Sequence, residues 1–244
     1  MSTRSHFSGD GWQVVCGRWQ DSHPPAVDHV ISDPPYNQNT HQGGRVELRR
    51  PGGFSFEAIT PGEIVPGLLG VVRRWALCFC AAEALGEYST AAGGAWTSGG
   101  QYVRSGFYLK SNPMPQFTGD RPGTPGETIA IMHGRTEGRK LRWNGGGKAA
   151  LWRGQPVISG RVHETQKPLW LMRALVEAFT DPGDLVWDPY GGSMTTGVAC
   201  LQLGRRFIGH EVQERYAEVG AERLRAAAQG LTLEAARAGQ LALL

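Results

Sequence analysis

Val27-Asp28-His29-Val30-Ile31-Ser32-Asp33-Pro34-Pro35-Tyr36 is the stretch on which the fold turns. A short Val/Ile run that ends abruptly in a carboxylate, two prolines and an aromatic predicts a buried strand delivering a rigid loop to a sheet edge. The prolines fix φ and lack an N–H, so carbonyls of this loop are not consumed by a continuing ladder or helix. Asp33 adds an acceptor and Tyr36 a flat apolar face. Together they suit a planar group carrying an amine, its ring on Tyr36 and its N–H bonds on Asp33 and the Pro34 carbonyl. Read alone, the stretch fits equally well a strand followed by a proline turn with a capping Asp.

The 244 residues can bury a substantial core, and nothing in the sequence forces a second domain. With 35 glycines and 15 prolines, long loops are expected. No run is apolar enough to span a bilayer, and Met1 to Gln13 lacks the hydrophobic region of a signal peptide, so a cytoplasmic protein without membrane partners is expected. Cys16, Cys78, Cys80 and Cys200 sit in apolar surroundings without metal-site spacing and read as reduced core residues; no metal is expected. The net charge is only +3, but seven basic residues from Arg135 to Arg161 face the single acid Glu137, a local +6. Trp143, Trp152 and a Gly145-Gly146-Gly147 run interleave with them. This is either a polyanion contact or a solvated basic loop.

Along the chain, Trp12 to Gly17 and Val27 to Ile31 read as strands, and Asn37 to Phe56 as an aperiodic loop. Thr60-Pro61-Gly62-Glu63 is a capping-box start, with Pro66 expected to delay the regular helix, which runs to about Arg74. Trp75 to Cys80 reads as a strand covered on both faces, followed by a helix; Tyr102 to Leu109 and Thr128 to Met132 are further strands. Leu169, Met172, Leu175, Val176 and Phe179 fall at helical spacing before Asp181-Pro182-Gly183. Trp170 and Trp187 read as core. Then come the strand Leu185 to Trp187, the small-residue loop Asp188 to Thr196 opening a helix, the strand Arg206 to Gly209, Glu211, and a helix from about Glu214 to Ala228. A Gly loop between strand and helix, with a carboxylate 23 residues after Asp188, is the pattern of a nucleoside-binding α/β unit. That unit alone would suit a dinucleotide equally well.

Three blocks together are more specific. Asp33-Pro34-Pro35-Tyr36, His163-Glu164-Thr165-Gln166-Lys167-Pro168 and Asp188-Pro189-Tyr190-Gly191-Gly192-Ser193-Met194-Thr195-Thr196, the last followed by Gly204 to Glu211, resemble the motifs of the amino-specific DNA methyltransferases. That family methylates adenine N6 or cytosine N4 with S-adenosylmethionine, leaving S-adenosylhomocysteine. The motif order resembles the permuted β class, and Pro113 to Pro122 and Trp143 to Gly147 resemble segments of phage and prophage members.

The resemblance implies a Rossmann-like α/β methyltransferase fold, a mostly parallel sheet with helices on both faces, as one catalytic domain over 1–244. A target-recognition region is expected at about 111–161. It implies catalysis by Asp33, Pro34, Pro35 and Tyr36 on a base flipped out of DNA. Cofactor binding falls to Thr165, Gln166, Lys167, Pro168, Asp188, Tyr190, Gly191, Gly192, Ser193, Thr195, Thr196 and Glu211, with Glu211 on the ribose hydroxyls and Thr165 to Pro168 at the methionine end. Arg139, Lys140, Arg142, Trp143, Lys148 and Arg153 are the expected DNA contacts. DNA is the implied partner, with room for a homodimer and a cognate restriction endonuclease. Asp in the first motif position leans towards adenine N6, and cytosine N4 makes the same physical demand. Two departures stand out. Met194 occupies a family glycine position, where a need for positive φ or close cofactor approach would lower affinity, and His210 replaces an apolar residue. The other readings that the residues allow are a cofactor-impaired DNA-binding module and a nicotinamide-dependent oxidoreductase; the second leaves Asp33 to Tyr36 unexplained.

Overall fold

Strand β4, Trp75–Cys80, is buried at every position, as a strand sandwiched between two helical layers must be. Trp75, Leu77 and Phe79 point into one core, and Ala76, Cys78 and Cys80 into the other. In this computed structural model, residues 6–22, 26–35, 59–134, 141–157, 160–163 and 165–239 are described. Tyr36, the 37–56 loop, Arg135, Arg139, Lys140, Glu164 and the last residues of the tail lie outside that set.

Nine strands among the described residues form one sheet: β1 (His6–Gly9), β2 (Trp12–Cys16), β3 (His29–Ser32), β4, β5 (Tyr102–Lys110), β6 (Gly126–His133), β7 (Leu151–Gly154), β8 (Leu185–Asp188) and β9 (Arg206–Glu211). Their order is β1-β2-β9-β8-β3-β4-β6-β5-β7. The pairs β2/β9, β9/β8, β8/β3, β3/β4 and β5/β7 are parallel; β1/β2, β4/β6 and β6/β5 are antiparallel. The short edge strands β1 and β7 have no sequence forecast above, because neither carries an apolar run.

Helices α1 (Pro61–Val71) and α2 (Leu85–Ala91) cover one face. The other face carries α3 (Leu169–Phe179), α4 (Thr195–Gln202) and α5 (Glu214–Ala228), and α6 (Leu233–Arg237) follows α5. The expected capping box of α1 is present, with the Thr60 N–H donating to Glu63 at 2.7 Å. The helix nevertheless starts at Pro61 and runs through Pro66, correcting the delayed start. Pro66 and Gly62 are both exposed, so the Gly62 carbonyl that loses its partner is offered to water.

From β3 the chain crosses through α1 to β4 on one side, and from β8 it crosses through α4 to β9 on the other. The crossovers diverge between β3 and β8. In open α/β sheets the crevice for ligands lies at the carboxyl ends of the strands at such a switch point. Asp33 and Asp188 stand on either side of it.

Candidate active site at the carboxyl edge

The Asp33 side chain is 20% exposed and its Oδ2 accepts from Lys167 Nζ at 2.7 Å. Its Oδ1 is buried and has no hydrogen-bond partner. A buried acceptor left unmade is costly, so it marks a place where a donor belongs. The second carbonyl of the loop is committed: Pro35 O accepts from the Ile59 N–H at 2.9 Å. The same Lys167 ammonium reaches Glu127 Oε2 at 2.7 Å, and Glu127 Oε1 accepts from Lys110 Nζ at 2.8 Å. Glu127 and Lys110 arrive here because β6 runs antiparallel to β4, so its start, and the end of β5, lie at the edge where β3 and β4 finish. Burial pushes the Asp33 carboxyl up to about 6, with Lys167 opposing and Glu127 assisting. Burial works on Glu127 in the same sense, but Lys167 and Lys110 outweigh it and hold that carboxyl at about 2. Motif reading gave Glu127 no role, since nothing around it in the sequence marks it.

Asp188 is fully engaged. Its carboxylate accepts from Ser32 Oγ at 2.8 Å, from Thr196 Oγ1 at 2.6 Å and from the Tyr190 N–H at 3.1 Å. It ties the end of β3 to the start of α4 across the switch point, and burial raises its carboxyl to about 6. This side chain builds the loop that the motif reading assigns to the cofactor. Tyr190 is likewise anchored, its hydroxyl accepting from Trp19 Nε1 at 3.0 Å.

Glu211, 8% exposed, accepts the Gly192 N–H at 3.0 Å on one oxygen and the Gln213 N–H at 2.8 Å on the other. The Val212 N–H also bears on this carboxylate, and the acceptor capacity left over suits a hydroxyl donor. Gly192, at φ +51°, supplies the left-handed turn that points its N–H at this carboxylate. Arg223 of α5 donates to the Ser193 carbonyl and, at 3.0 Å, to Thr195 Oγ1, buttressing the loop from below. No sequence signal separates this arginine from the others of α5.

Met194 is left-handed, φ 57° and ψ 35°, alone among the described non-glycine residues. Its side chain is buried and points away from the crevice, into a space kept open by three glycines. A Cβ on Gly191 or Gly209 would come within 2.4 Å of its sulfur, and one on Gly220 within 2.4 Å of its Cγ. The methionine is thus absorbed into the core between β9 and α5. Met194→Gly would relieve backbone strain of about 1–2 kcal/mol but empty a core site, which costs about 2–5 kcal/mol. Urea denaturation is expected to show a net loss of stability, and a gain would contradict this placement.

His163 packs against Tyr216 with ring centroids 4.3 Å apart and the rings tilted by 58°, and its Nδ1 accepts from the Thr165 N–H at 3.3 Å. Gln166 Oε1 accepts the Val162 N–H at 3.0 Å. The turn is held by its own side chains, and Pro168 caps α3. Lys167, expected at the cofactor's methionine end, turns its ammonium to Asp33 and Glu127. His210 is explained by its partners: Trp187 Nε1 donates to its Nδ1 at 3.0 Å, so Nε2 carries the proton and donates to Ser22 Oγ at 2.9 Å.

The expected DNA contacts separate. Trp143 packs against Phe179 at 4.8 Å between ring centroids, and the adjoining Asn144 donates to the Thr180 carbonyl at 2.9 Å. Arg142 pairs with Asp181 at 3.3 Å. These contacts lie before β8, at the amino edge of the sheet, opposite Asp33. The Trp143 ring is partly buried against the core over α3. Lys148 is exposed in the turn before β7, and Arg153, opposite Leu109 in β5, is brought towards the Asp33 edge. Trp170, expected in the core, is 37% exposed and lies over Gly154. Cys16, Cys78, Cys80 and Cys200 are free thiols. Among the described residues no helix is long and apolar enough to cross a membrane, and no cluster of three His, Cys, Asp or Glu side chains could hold a metal.

Residues 124–222 match the family model N6_N4_Mtase, described as DNA methylase. Over 62 residues the chain is 45% identical to the DNA adenine methyltransferase YhdJ of Escherichia coli (strain K12), covering 25% of this chain and 21% of YhdJ. It is also 45% identical over 83 residues to YubD of the same organism, a methylase by its name. The stretch from 124 to 222 is thus similar to N6/N4 DNA methylases. The chain's matched region spans 37% and 21% of the lengths of these two curated relatives. Among solved structures of this fold, the complex of M1.HpyAVI with SAM superposes with a TM-score of 0.64 at 24% identity, covering 87% of this chain and 98% of that one. PvuII DNA methyltransferase, cytosine-N4-specific, gives 0.63 at 15% identity, covering 86% and 85%.

Proposed function

We propose that the chain is an S-adenosylmethionine-dependent DNA methyltransferase acting on the exocyclic N6 amine of an adenine flipped out of the duplex. The observation that carries this reading is the buried, unpartnered Oδ1 of Asp33 at the switch point of a methylase-like sheet. An aromatic exocyclic amine is a poor nucleophile because its lone pair is delocalised into the ring. Asp33 Oδ1 accepts one of its N–H bonds and the Pro34 carbonyl the other, favouring a pyramidal nitrogen whose lone pair is free to react. Once methylated, the amine sheds a proton to Asp33 Oδ1. The amine is inside the stack in a duplex, so the base must leave it, and Tyr36 is the residue assigned to receive its ring.

The residues of the Gly loop fit the cofactor. Glu211 offers its remaining acceptor capacity to a ribose hydroxyl, Gly191 and Gly192 present bare backbone, and Thr165 is assigned to the methionine end. S-adenosylmethionine supplies an electrophilic methyl group when bound. Adenine is favoured by Asp, rather than Ser, ahead of Pro34-Pro35 and by the likeness to YhdJ, named as an adenine methyltransferase. N4 of cytosine is the second reading, favoured by the likeness to the PvuII enzyme.

Residues 111–161 are the inferred target-recognition region. Its loop between β5 and β6 stands at the Asp33 edge and exposes Met114 and Phe117. DNA contacts are assigned to Lys148 and Arg153, with Arg139 and Lys140. A homodimer and a cognate endonuclease rest on the family resemblance alone. Methylation-sensitive sequencing of DNA from a methylation-deficient host expressing the chain tests the assignment. N6-methyladenine at one recurring sequence is expected. N4-methylcytosine there would select the second reading, and unmodified DNA would overturn both.

A further inference from the structure

The Lys167 ammonium sits between two carboxylates that reach it from different strands. Asp33, at the end of β3, accepts from it at 2.7 Å, and Glu127, at the start of β6, accepts at 2.7 Å. Lys110, at the end of β5, closes the row on the far oxygen of Glu127 at 2.8 Å. The row alternates in sign, acid, base, acid, base, and so is neutral as a whole. Its inner members are largely withdrawn from water: Lys167 is 11% exposed and Glu127 17%. Lys167 Nζ also stands 4.8 Å from the centroid of the Phe79 ring, whose face adds to the attraction. Ion pairs this buried depend on every partner, since deleting one leaves an uncompensated charge.

The geometry does something specific to Asp33. A carboxylate in an apolar pocket has two equivalent oxygens and rotates between them. Here one is fixed by a charge-assisted hydrogen bond, and the other is left bare and buried. We propose that Lys167, anchored by Glu127, is a positioning residue for methyl transfer: it locks Asp33 by Oδ2 and keeps it ionised, so that Oδ1 alone is presented to the target amine. This inference rests on the methyltransferase reading and deepens it. Its chemistry follows from the inventory of a carboxyl group, since a protonated Asp33 would carry an O–H donor where the amine requires an acceptor.

Lys110, at the far end of the row, adds a smaller stabilising charge to Asp33, and the remaining groups around it add none. Asp188 of β8 repels it, and Cys78 and Cys80 of β4 and Tyr88 of α2 are buried and held neutral, their own ionisation pushed upward chiefly by burial. Burial raises Asp33, Lys167 lowers it and Glu127 raises it. Two substitutions therefore have opposite expected signs. Lys167→Met removes the stabilising cation, so the acid limb of the pH–rate profile moves to higher pH. Glu127→Gln removes a repelling anion, so the limb moves to lower pH, while the loosened Lys167 lowers kcat. A merely structural role for the row would move both variants together or neither.

The test is the titration of the Asp33 carboxyl by 13C NMR of the full chain labelled at aspartate, alongside single-turnover methyl transfer across pH. An upward displacement of the titration in Lys167→Met, a downward one in Glu127→Gln, a fall in kcat of about tenfold or more in Lys167→Met with KM for the cofactor little changed, and return of the limb in Lys167→Arg support the proposal. Unmoved titrations, displacement of both in one direction, or a Lys167→Met variant whose only defect is a raised KM for S-adenosylmethionine would overturn it. Should Lys167→Met fail to fold, the sign in Glu127→Gln alone decides. A native chain that transfers no methyl group yet shows both displacements would sink the methyltransferase reading and leave the linkage standing.

Discussion

Asp33→Asn is expected to lower the single-turnover rate of methyl transfer by about 10²- to 10⁴-fold, the range removed with a positioned acid–base or charge-stabilising group. The substitution preserves shape, and the asparagine carbonyl can still accept a hydrogen bond. It removes the charge that makes Oδ1 a strong acceptor and a destination for the amine's proton. Its NH2 group would also have to face either the incoming N–H or the Lys167 ammonium, now 2.7 Å from Oδ2. Neither arrangement leaves two good bonds. Cofactor affinity, measured by calorimetry, is expected to be unchanged, because Glu211 and the Gly loop lie across the switch point on β8 and β9. Rapid transfer by the variant would remove Asp33 from the chemistry; loss of cofactor binding would recast it as part of that subsite.

The second large effect is on stability. Asp188→Ala is expected to cost about 3–5 kcal/mol, since three donors, Ser32 Oγ, Thr196 Oγ1 and the Tyr190 N–H, would be left buried without an acceptor at about 1–3 kcal/mol each, not fully additively. That is a large part of the ~5–15 kcal/mol available to a typical domain. Equilibrium urea unfolding measures it. The charge of the native carboxylate works the other way: because burial raises its pKa to about 6, keeping it ionised costs stability above that pH, and the cost fades as pH falls below 6. Asp188→Asn is therefore expected to lose less than the alanine variant, its carbonyl still accepting. A loss under about 1 kcal/mol in the alanine variant would mean that the strap between β3 and α4 is unimportant.

Much of this architecture is legible in the chain because its centre is made of parallel strands buried on both faces, which read as unbroken apolar runs. Val30 to Ser32, Trp75 to Cys80 and Leu185 to Asp188 are such runs, and the first and last lead into Asp33 and Asp188. The cap of α1 and the apolar stripe of α3 are local signals too. What the sequence hides is non-local. Glu127 and Lys110 meet Lys167 only because β5 and β6 reverse direction at the far side of β4, a fact of topology that no spacing encodes. Trp143 among arginines has the pattern of a nucleic-acid track, yet Phe179 claims it. Met194 is an intermediate case. Its place in a glycine position flags strain, and the structure confirms a left-handed backbone, but the three glycines that house its side chain come from a loop, a strand and a helix and cannot be connected in advance.

The central claim is that this edge presents an exocyclic amine to a methyl donor. Its most direct test is a single turnover of the purified chain with methyl-labelled S-adenosylmethionine and duplex DNA of mixed sequence, followed by digestion to nucleosides and mass spectrometry. The label is expected on an exocyclic nitrogen, as N6-methyl-2′-deoxyadenosine, with N4-methyl-2′-deoxycytidine as the second reading. Label on a ring carbon, or none from a protein that binds both cofactor and DNA, would contradict the account.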